Sequence, residues 1–480
     1  MSEARQDLRG VLAGMEKEGG LLRVKREVEP SIEIPSVMRG LSKLQKIPAL
    51  LFENINGFPG VRGCGALFSD KPRTLKALGL PIPQVELNER VVKALDNPVL
   101  PRRVKEGVCK ENIHLGQVDV GKMIFTTRGA AQSHHFYYQP IIFTRHPKTG
   151  KINVGQYRVS LQQPGRVTVN LRVTQHGGQQ LQAAKEMGVA LPVAICIGVP
   201  LSLYVAASSQ QTYGYEETGF AGALMGEPLD MVKAETVDLD VPAYSEVVIE
   251  GEIRPPYELG SEGPWPEYLG YLGMNIHPPL MDITAVTYRN NPINVVFTPG
   301  SVPEAVPIAS EAQLLRHLRA LGGEFVIDAA LTPGARRHHA VIKVRKSHLH
   351  HEGYQINVAL EAFGFGSASA LDTVTLVDDD VDIRDYREID WAVATRCNPA
   401  HQVHLLPEAR CHQNNPIAGV RELLGQPIVR GKMIIDATIP WHYRTAEVSP
   451  GITFFTRSSW PEVDLQDYLT EEDRKRLIYR

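Results

Sequence analysis

The stretch that most constrains this chain is a run of strict alternation. Between Arg166 and Thr174, Val167, Val169, Leu171 and Val173 fall on one face, and Arg166, Thr168, Asn170 and Arg172 on the other. A period of two is the mark of a half-buried strand. Gln163-Pro164-Gly165 supplies a turn before it, and Tyr157, Val159 and Leu161 give the preceding strand its own apolar face. Pairing Gln162 with Arg166 sets Leu161 opposite Val167, Val159 opposite Val169 and Tyr157 opposite Leu171. Apolar meets apolar throughout, so a slip of one residue would turn every side chain to the wrong face. Followed to its open end, the hairpin brings Asn153 beside Gln175 and His176. In an unbroken strand Asn153 and Arg158 face opposite ways, so a bend near Gly155 is expected to bring them to one site.

The rest of the chain falls into regions around this hairpin. Pro48–Glu53 reads as a buried strand before the turn Gly57-Phe58-Pro59-Gly60, and Asn97–Val108, with Pro98 and Pro101, marks a first boundary. Strand patterns dominate from about 110 to 300. They are interrupted by short helices at Gln179–Met187 and Glu216–Met225, each stopped by a glycine (Gly188, Gly226). Ser310–Leu321 is an amphipathic helix leading to a third region with strands at Ala340–Val344 and Val374–Val377. A charged tail, Asp464–Arg480, has a helical pattern suited to docking on a partner subunit. The expected architecture is therefore a multidomain α+β chain: an N-terminal α/β region (1–108), a β-rich region (109–308), a linker helix (309–322) and a C-terminal α/β region (323–480).

Composition excludes several functions. Fifty-one basic residues against 54 acidic ones leave no general positive field for nucleic acid. The five cysteines are scattered without a CxxC pair and read as reduced thiols. Val189–Ser208 carries no charge, yet Pro192, Gly198 and Pro200 and its β-branched middle suit a buried strand followed by a turn better than a membrane span. With no signal-peptide pattern at the start, a cytoplasmic location is expected.

Two clusters of residues are candidates for chemistry. In Ser261-Glu262-Gly263-Pro264-Trp265-Pro266-Glu267, two prolines forbid a helix and Gly-Pro forces a bend, which can turn both carboxylates into one pocket. Two close acids favour proton transfer, since one of them holds its proton unless a cation intervenes; a surface turn with two solvated acids is the alternative. At the hairpin corner, Asn153, Gln175 and His176 together with a carboxylate suit an octahedral divalent ion holding a phosphate, against the alternative of a hydrogen-bonded polar rim. His348, His350, His351 and Glu352 read as a solvated strand end, and Gly364-Phe365-Gly366-Ser367, with Ser369 where a third glycine belongs, is not a dinucleotide fingerprint.

Several of these segments together resemble the UbiD family of prenylated-flavin-dependent decarboxylases. The matching runs are Phe143-Thr144-Arg145-His146-Pro147-Lys148-Thr149-Gly150, Asn153-Val154-Gly155-Gln156-Tyr157-Arg158, Glu217-Thr218-Gly219-Phe220-Ala221-Gly222-Ala223-Leu224, Val241-Pro242-Ala243 and Glu262-Gly263-Pro264-Trp265-Pro266-Glu267. Later come Val377–Asp382 and Trp391-Ala392-Val393-Ala394-Thr395-Arg396. The resemblance implies a central split β-barrel for the cofactor and a C-terminal domain used for oligomerisation, as a homodimer or hexamer. It implies manganese on Asn153, His176 and Glu217 and, with a potassium ion, an anchor for the phosphate of prenylated FMN. Cofactor contacts are implied for Gly155, Gln156, Tyr157, Arg158, Gln175, Ser208 and Ser209, and a Glu–Arg–Glu network for Glu262, Arg158 and Glu267. The implied reaction is reversible decarboxylation of an aromatic, heteroaromatic or α,β-unsaturated acid to CO2 through a covalent flavin adduct, with a flavin prenyltransferase supplying the cofactor. A carboxylase-direction subunit or a non-catalytic cofactor-binding subunit are the other readings. The chain departs from the family in three places. Trp265-Pro266 stands where Phe-Gly is usual, Asp372-Thr373 where a phosphate-contacting lysine is often found, and the segment His134–Tyr138 is rich in histidine and aromatics.

Overall fold

The computed structural model describes residues 3–470 except 42–46, 82, 129–134, 210, 274–275, 298–304, 366–370, 413, 460, 462 and 465–466. Of the residues singled out above, His134, Gly366, Ser367, Ser369 and positions 471–480 lie outside the described residues.

After a single helical turn at Glu3–Gln6 comes helix α1 (Leu8–Lys17), whose buried Leu8, Val11, Leu12 and Met15 recur at helical spacing and whose first turn is capped by Asp7. Strands β1 (Leu21–Val28), β2 (Ala49–Ile55) and β3 (Arg62–Gly65) form a sheet closed on its far side by a strand from much later in the chain, Ile293–Val296. A buried ion cluster joins this layer to the next. Arg9 grips Glu246 through Nε and Nη2, each at 2.8 Å, while Arg289 reaches Glu246 at 3.1 Å and Asp7 at 2.7 Å.

The second layer is a nine-stranded sheet. Its strands are β4 (Asn112–Leu115), β5 (Phe136–Tyr137), β6 (Ile141–Arg145), β7 (Ile152–Gln156), β8 (Val159–Gln163), β9 (Arg166–Val169), β10 (Leu191–Ile197), β11 (Val247–Ile253) and β12 (Leu280–Tyr288). The hydrogen-bonded order is β5-β8-β9-β12-β11-β10-β6-β7, with β4 also on β12. β7 therefore ends one side of the sheet and β8 lies next to the other side, yet only Tyr157 and Arg158 separate them in sequence. Gln156 and Val159, three residue steps apart, lie at most about 11 Å from each other. The sheet must roll until its edges meet without pairing, which makes it a split barrel, and Tyr157-Arg158 is the seam.

The hairpin register is partly as expected. Leu161 faces Val167 and Val159 faces Val169, but Arg166 pairs with Gln163 rather than Gln162 across an irregularity at the turn. The strand is not continuous from Asn153 to Leu161. It breaks at Tyr157-Arg158, not at Gly155, because β7 leaves β9 and pairs with β6, Asn153 opposite Thr144. β9 likewise stops at Val169, so Tyr157 does not pair with Leu171 and residues 170–175 form a loop into a helix.

The expected helices are present: α4 (His176–Met187) and α7 (Ala305–Gly322) begin about a turn earlier than expected, while α6 (Glu217–Met225) begins one residue later; α4 and α6 end on left-handed Gly188 and Gly226. Between α1 and α4 lie a helix at Glu33–Leu41, α2 (Lys71–Leu78) and α3 (Gln84–Asp96). Val189–Ser208 forms β10 and then, in place of the expected turn, α5 (Leu201–Ala207), every residue of which is buried. A helix apolar on all sides shows no amphipathic period to read. No helix among the described residues is long and apolar enough to cross a membrane.

The third layer is a mixed five-stranded sheet in which His339–Val344, Thr373–Asp378 and Val429–Ala437 run parallel at the centre. Residues 348–352 form a single turn here rather than a strand end. The His348 and His351 rings meet at 3.7 Å, tilted by 40°, and Lys346 binds Glu352 at 3.0 Å.

Candidate active site at the barrel seam

Four elements converge on a cavity of about 270 Å³. β7 contributes Asn153 to Gln156 and the seam Tyr157; the start of α4 contributes Gln175 and His176; the end of α5 leads into Ser208 and Ser209; and α6 begins with Glu217. Two glycines let the chain approach this closely. A Cβ on Gly155 would stand 2.6 Å from the Tyr157 ring, and one on Gly178 would stand 1.8 Å from the Arg172 carbonyl oxygen. The Tyr157 hydroxyl accepts hydrogen bonds from Asn153 Nδ2 and from the Gly177 backbone, both at 3.2 Å. Asn153 Nδ2 also donates to Thr144 Oγ1 at 3.2 Å. One phenol thus fastens Asn153 to the first turn of α4, and the corner that the sequence assigned to a strand pair is made by a strand and a helix end.

Glu217 is the most unusual group in the cavity. It is 5% exposed and accepts backbone hydrogen bonds from its own amide and from Val154, yet Oε2 has no partner and no cation is paired with it among the described residues. Burial pushes its carboxyl up to about 8. Burial also lowers the pKa of His176, which keeps the imidazole neutral, as a metal ligand must be. Gln139 Oε1 and Gln211 Nε2, also in the lining, are buried without partners among the described residues. An amide, a neutral imidazole and an unneutralised carboxylate suit a hard divalent ion, and unpartnered amides beside them suit a polar ligand. The residues present therefore fit a metal-held phosphate. Among the described residues no three His, Cys, Asp or Glu side chains form a metal group, and the amide of Asn153 is integral to this one.

On the other side of the seam, Arg158 Nε and Nη2 lie 2.8 and 2.7 Å from Glu262 Oε2. Glu262 is fully buried, and its other oxygen accepts from Thr168 Oγ1 at 2.7 Å. The loop that carries it is a narrow hairpin, with Glu262 bridged to Ile276 and Pro266 to Leu272. Glu262 and Glu267 do not touch; Trp265 stands between them. The Arg158 guanidinium lies 3.7 Å over the indole, and the indole Nε1 donates to Glu267 Oε1 at 3.0 Å. Glu267 Oε2 accepts from the Tyr268 backbone at 2.9 Å. The expected cluster is thus assembled as Glu262, Arg158, Trp265 and Glu267 in series. The Trp265 that departs from the family pattern is the link.

Six lining residues escaped the sequence reading: Gln139, Ala207, Gln211, Tyr268, Arg337 and His412, of which the last three lie toward the third layer. Of these three, Tyr268 adjoins Glu267, whereas Arg337 and His412 come from the third layer, which folds over the barrel mouth. There Tyr268 Oη meets His338 Nε2 at 3.1 Å, and His338 Nδ1 meets Asp372 at 2.8 Å. Asp372, standing where a lysine is often found, is held in addition by Asn415 and Arg430 at 3.0 and 2.8 Å.

A split barrel with a polar cavity at its seam, roofed by a third layer, defines a ligand-binding α+β enzyme class, and comparison with known proteins names it. Residues 12–95, 102–302 and 306–437 match the N-terminal, Rift-related and C-terminal domain models of 3-octaprenyl-4-hydroxybenzoate carboxy-lyase. The chain belongs to the UbiD family of carboxy-lyases. It is 33% identical to the UbiD-class enzyme HmfF from Pelotomaculum thermopropionicum, solved in complex with FMN, over 96% of this chain and 100% of that one, with a TM-score of 0.85. The apo 3,4-dihydroxybenzoic acid decarboxylase AroY of Klebsiella pneumoniae superposes with the same TM-score at 26% identity, covering 96% and 99%. A phenolic acid decarboxylase of Bacillus subtilis is 30% identical over 455 residues, 91% of this chain and 93% of that protein.

Proposed function

We propose that this carboxy-lyase releases CO2, reversibly and without oxidation, from an aromatic, heteroaromatic or α,β-unsaturated acid, using prenylated FMN. Asn153, His176 and Glu217 hold manganese, and with potassium this anchors the cofactor phosphate; Gly155, Gln156, Tyr157, Gln175, Ser208 and Ser209 line its seat. When bound, the flavin supplies the electron sink for the carbanion left as CO2 departs. The observation that carries this reading is the juxtaposition at the seam, where a cavity suited to a metal-held phosphate adjoins a buried Arg–Glu pair with a second acid in reach.

The two acids have different tasks. Glu262 is committed to Arg158 and Thr168, and protonating it would strand a buried guanidinium. Glu267 has no ion pair among the described residues, and its two oxygens are aimed by the Trp265 indole and the Tyr268 amide. Glu267 is therefore the acid that takes up a proton and delivers it to the carbon losing CO2. Arg158, spread between Glu262 and the Trp265 face, holds Glu262 in place and fixes the indole that orients Glu267. The third layer supports self-association: its helix Pro416–Leu423 leaves Ile417, Val420 and Leu423 exposed.

The test is expression with and without a flavin prenyltransferase, followed by a screen of aryl and acrylic acids for CO2 release. Glu267→Gln keeps its flavin but loses both turnover and solvent-deuterium exchange at the reacting carbon. A fully active Gln variant refutes the role given to Glu267.

A further inference from the structure

Of the three side chains that the proposed function gives to the metal, His176 alone lacks a hydrogen bond to hold it. Asn153 is fastened by Thr144 and Tyr157, and Glu217 accepts from two backbone amides. Neither ring nitrogen of His176 has a hydrogen-bond partner among the described residues, and burial is the one influence on its charge. A histidine that holds a metal ordinarily ties its other ring N–H to a carboxylate, a carbonyl or water, which fixes the ring; losing that tie costs metal affinity. Here a ring contact stands in its place. Tyr213 meets the His176 imidazole with centroids 5.2 Å apart and planes at 88°, the perpendicular arrangement that aromatic pairs favour.

The chain fixes Tyr213 from several sides. It holds the second place in the turn Thr212-Tyr213-Gly214-Tyr215, which the Tyr215 amide closes by donating to the Thr212 carbonyl at 3.0 Å. Gly214 takes the left-handed φ of 87° that a type II turn needs at its third place. The Tyr215 hydroxyl anchors the turn by donating to the Leu95 carbonyl at 2.9 Å. The Tyr213 ring also meets His146, at 6.3 Å and 72°, and that imidazole is held by its own turn, since Nδ1 accepts from the Lys148 and Thr149 amides at 3.1 and 3.2 Å. Gln180, one turn beyond His176 on α4, acts on the Tyr213 phenol and is itself held by donating to the Lys151 carbonyl at 3.1 Å. None of this serves an apolar core. Tyr213 is 38% exposed, and its ring joins none of the buried clusters among the described residues.

We infer that Tyr213 is a positioning residue for the metal corner: its ring fixes the His176 imidazole in the orientation that holds the ion, in place of the hydrogen bond such a ligand usually has. The inference rests on the proposed function in taking His176 as a metal ligand. The loop that carries Tyr213 runs from Ser209, which lines the cavity, to Glu217. One segment thus supplies a lining residue, one ligand and the ring that steadies another.

The test reads metal binding and needs no turnover. The full chain, made without a flavin prenyltransferase and stripped with EDTA, is titrated with manganese. Tyr213→Ala binds it about tenfold more weakly than wild type, and Tyr213→Phe, which keeps the ring, restores the affinity. The melting midpoints of all three proteins without metal coincide. Equal affinities of wild type and Tyr213→Ala overturn the inference. A Phe variant as weak as the Ala variant also overturns it, because the hydroxyl and not the ring would then be acting. So does a metal-free midpoint that falls with Tyr213→Ala, because the ring would then be holding the fold and not the imidazole. His176→Ala, titrated alongside, separates the inference from its premise. If His176→Ala loses manganese while Tyr213→Ala keeps it, the role of Tyr213 fails and the metal site stands. If His176→Ala binds manganese as tightly as wild type, the metal site of the proposed function is refuted, and the role of Tyr213 with it.

Discussion

Glu217 offers a quantitative test of the metal site that does not depend on catalysis. In the metal-free protein, burial raises its carboxyl from 4.5 to about 8. The folded protein then keeps a proton that the unfolded chain gives up above pH 4.5. The stability this group contributes is complete below that pH and is lost as pH rises, at about 1.4 kcal/mol per pH unit, amounting to about 5 kcal/mol once pH passes 8. Glu217→Gln removes the ionisation while keeping the shape. In EDTA, urea unfolding of wild type and variant compared at pH 5.5 and 8 is expected to show wild type losing about 3 kcal/mol more than the variant over that interval. Manganese reverses the sign of the comparison. It replaces the proton with a cation, so wild type gains stability and releases about one proton per ion bound below pH 8, while the Gln variant gains little. Parallel pH profiles in EDTA, or equal stabilisation of both proteins by manganese, would refute the argument that Glu217 is a carboxylate buried for a cation.

Two shorter predictions bear on the same corner. His176→Ala is expected to lose manganese and flavin together, measured by metal analysis and absorbance, because on the proposed function His176 would help hold the ion that anchors the phosphate; normal flavin content would leave His176 with a structural role only. Gly178→Ala would push a methyl group into the Arg172 carbonyl at 1.8 Å and must displace the loop or the first turn of α4, costing roughly 3 kcal/mol in unfolding and weakening flavin binding, whereas Gly188→Ala, with nothing near its Cβ and a left-handed φ of 68°, should cost only about 1 kcal/mol and spare the flavin.

How far the sequence could be read followed from how local each signal was. The pairing of Leu161 with Val167 and of Val159 with Val169 was legible because alternation fixes register. The break at Tyr157-Arg158 was not, since the alternation of Tyr157, Val159 and Leu161 runs straight through it. What interrupts the strand there is closure of a nine-stranded sheet, a property of strands spread from Asn112 to Tyr288. α5 was hidden because its seven buried residues carry no polar face. At the site, the seam residues and both acids stood out as dense local motifs, and the family resemblance supplied Glu217, Ser208 and Ser209. Arg337 and His412 had no such signal. They reach the cavity only because the third layer docks on the hairpin tip, through Tyr268, His338 and Asp372, and no spacing within the chain encodes that docking.

The seam also explains why the two halves of this site cannot be separated. Tyr157 and Arg158 are neighbours in an extended segment, so their side chains point to opposite sides. One phenol holds Asn153 and the start of α4, and the next side chain holds Glu262 and the Trp265 face. Any movement of the barrel edge that opens the phosphate corner must shift the Arg158 guanidinium by a comparable distance, because a two-residue link has no slack to absorb it. On the proposed function, this geometry couples the seating of the cofactor to the alignment of Glu267, and a closed barrel, in which β7 and β8 were joined by a full turn or paired with each other, would lose that coupling.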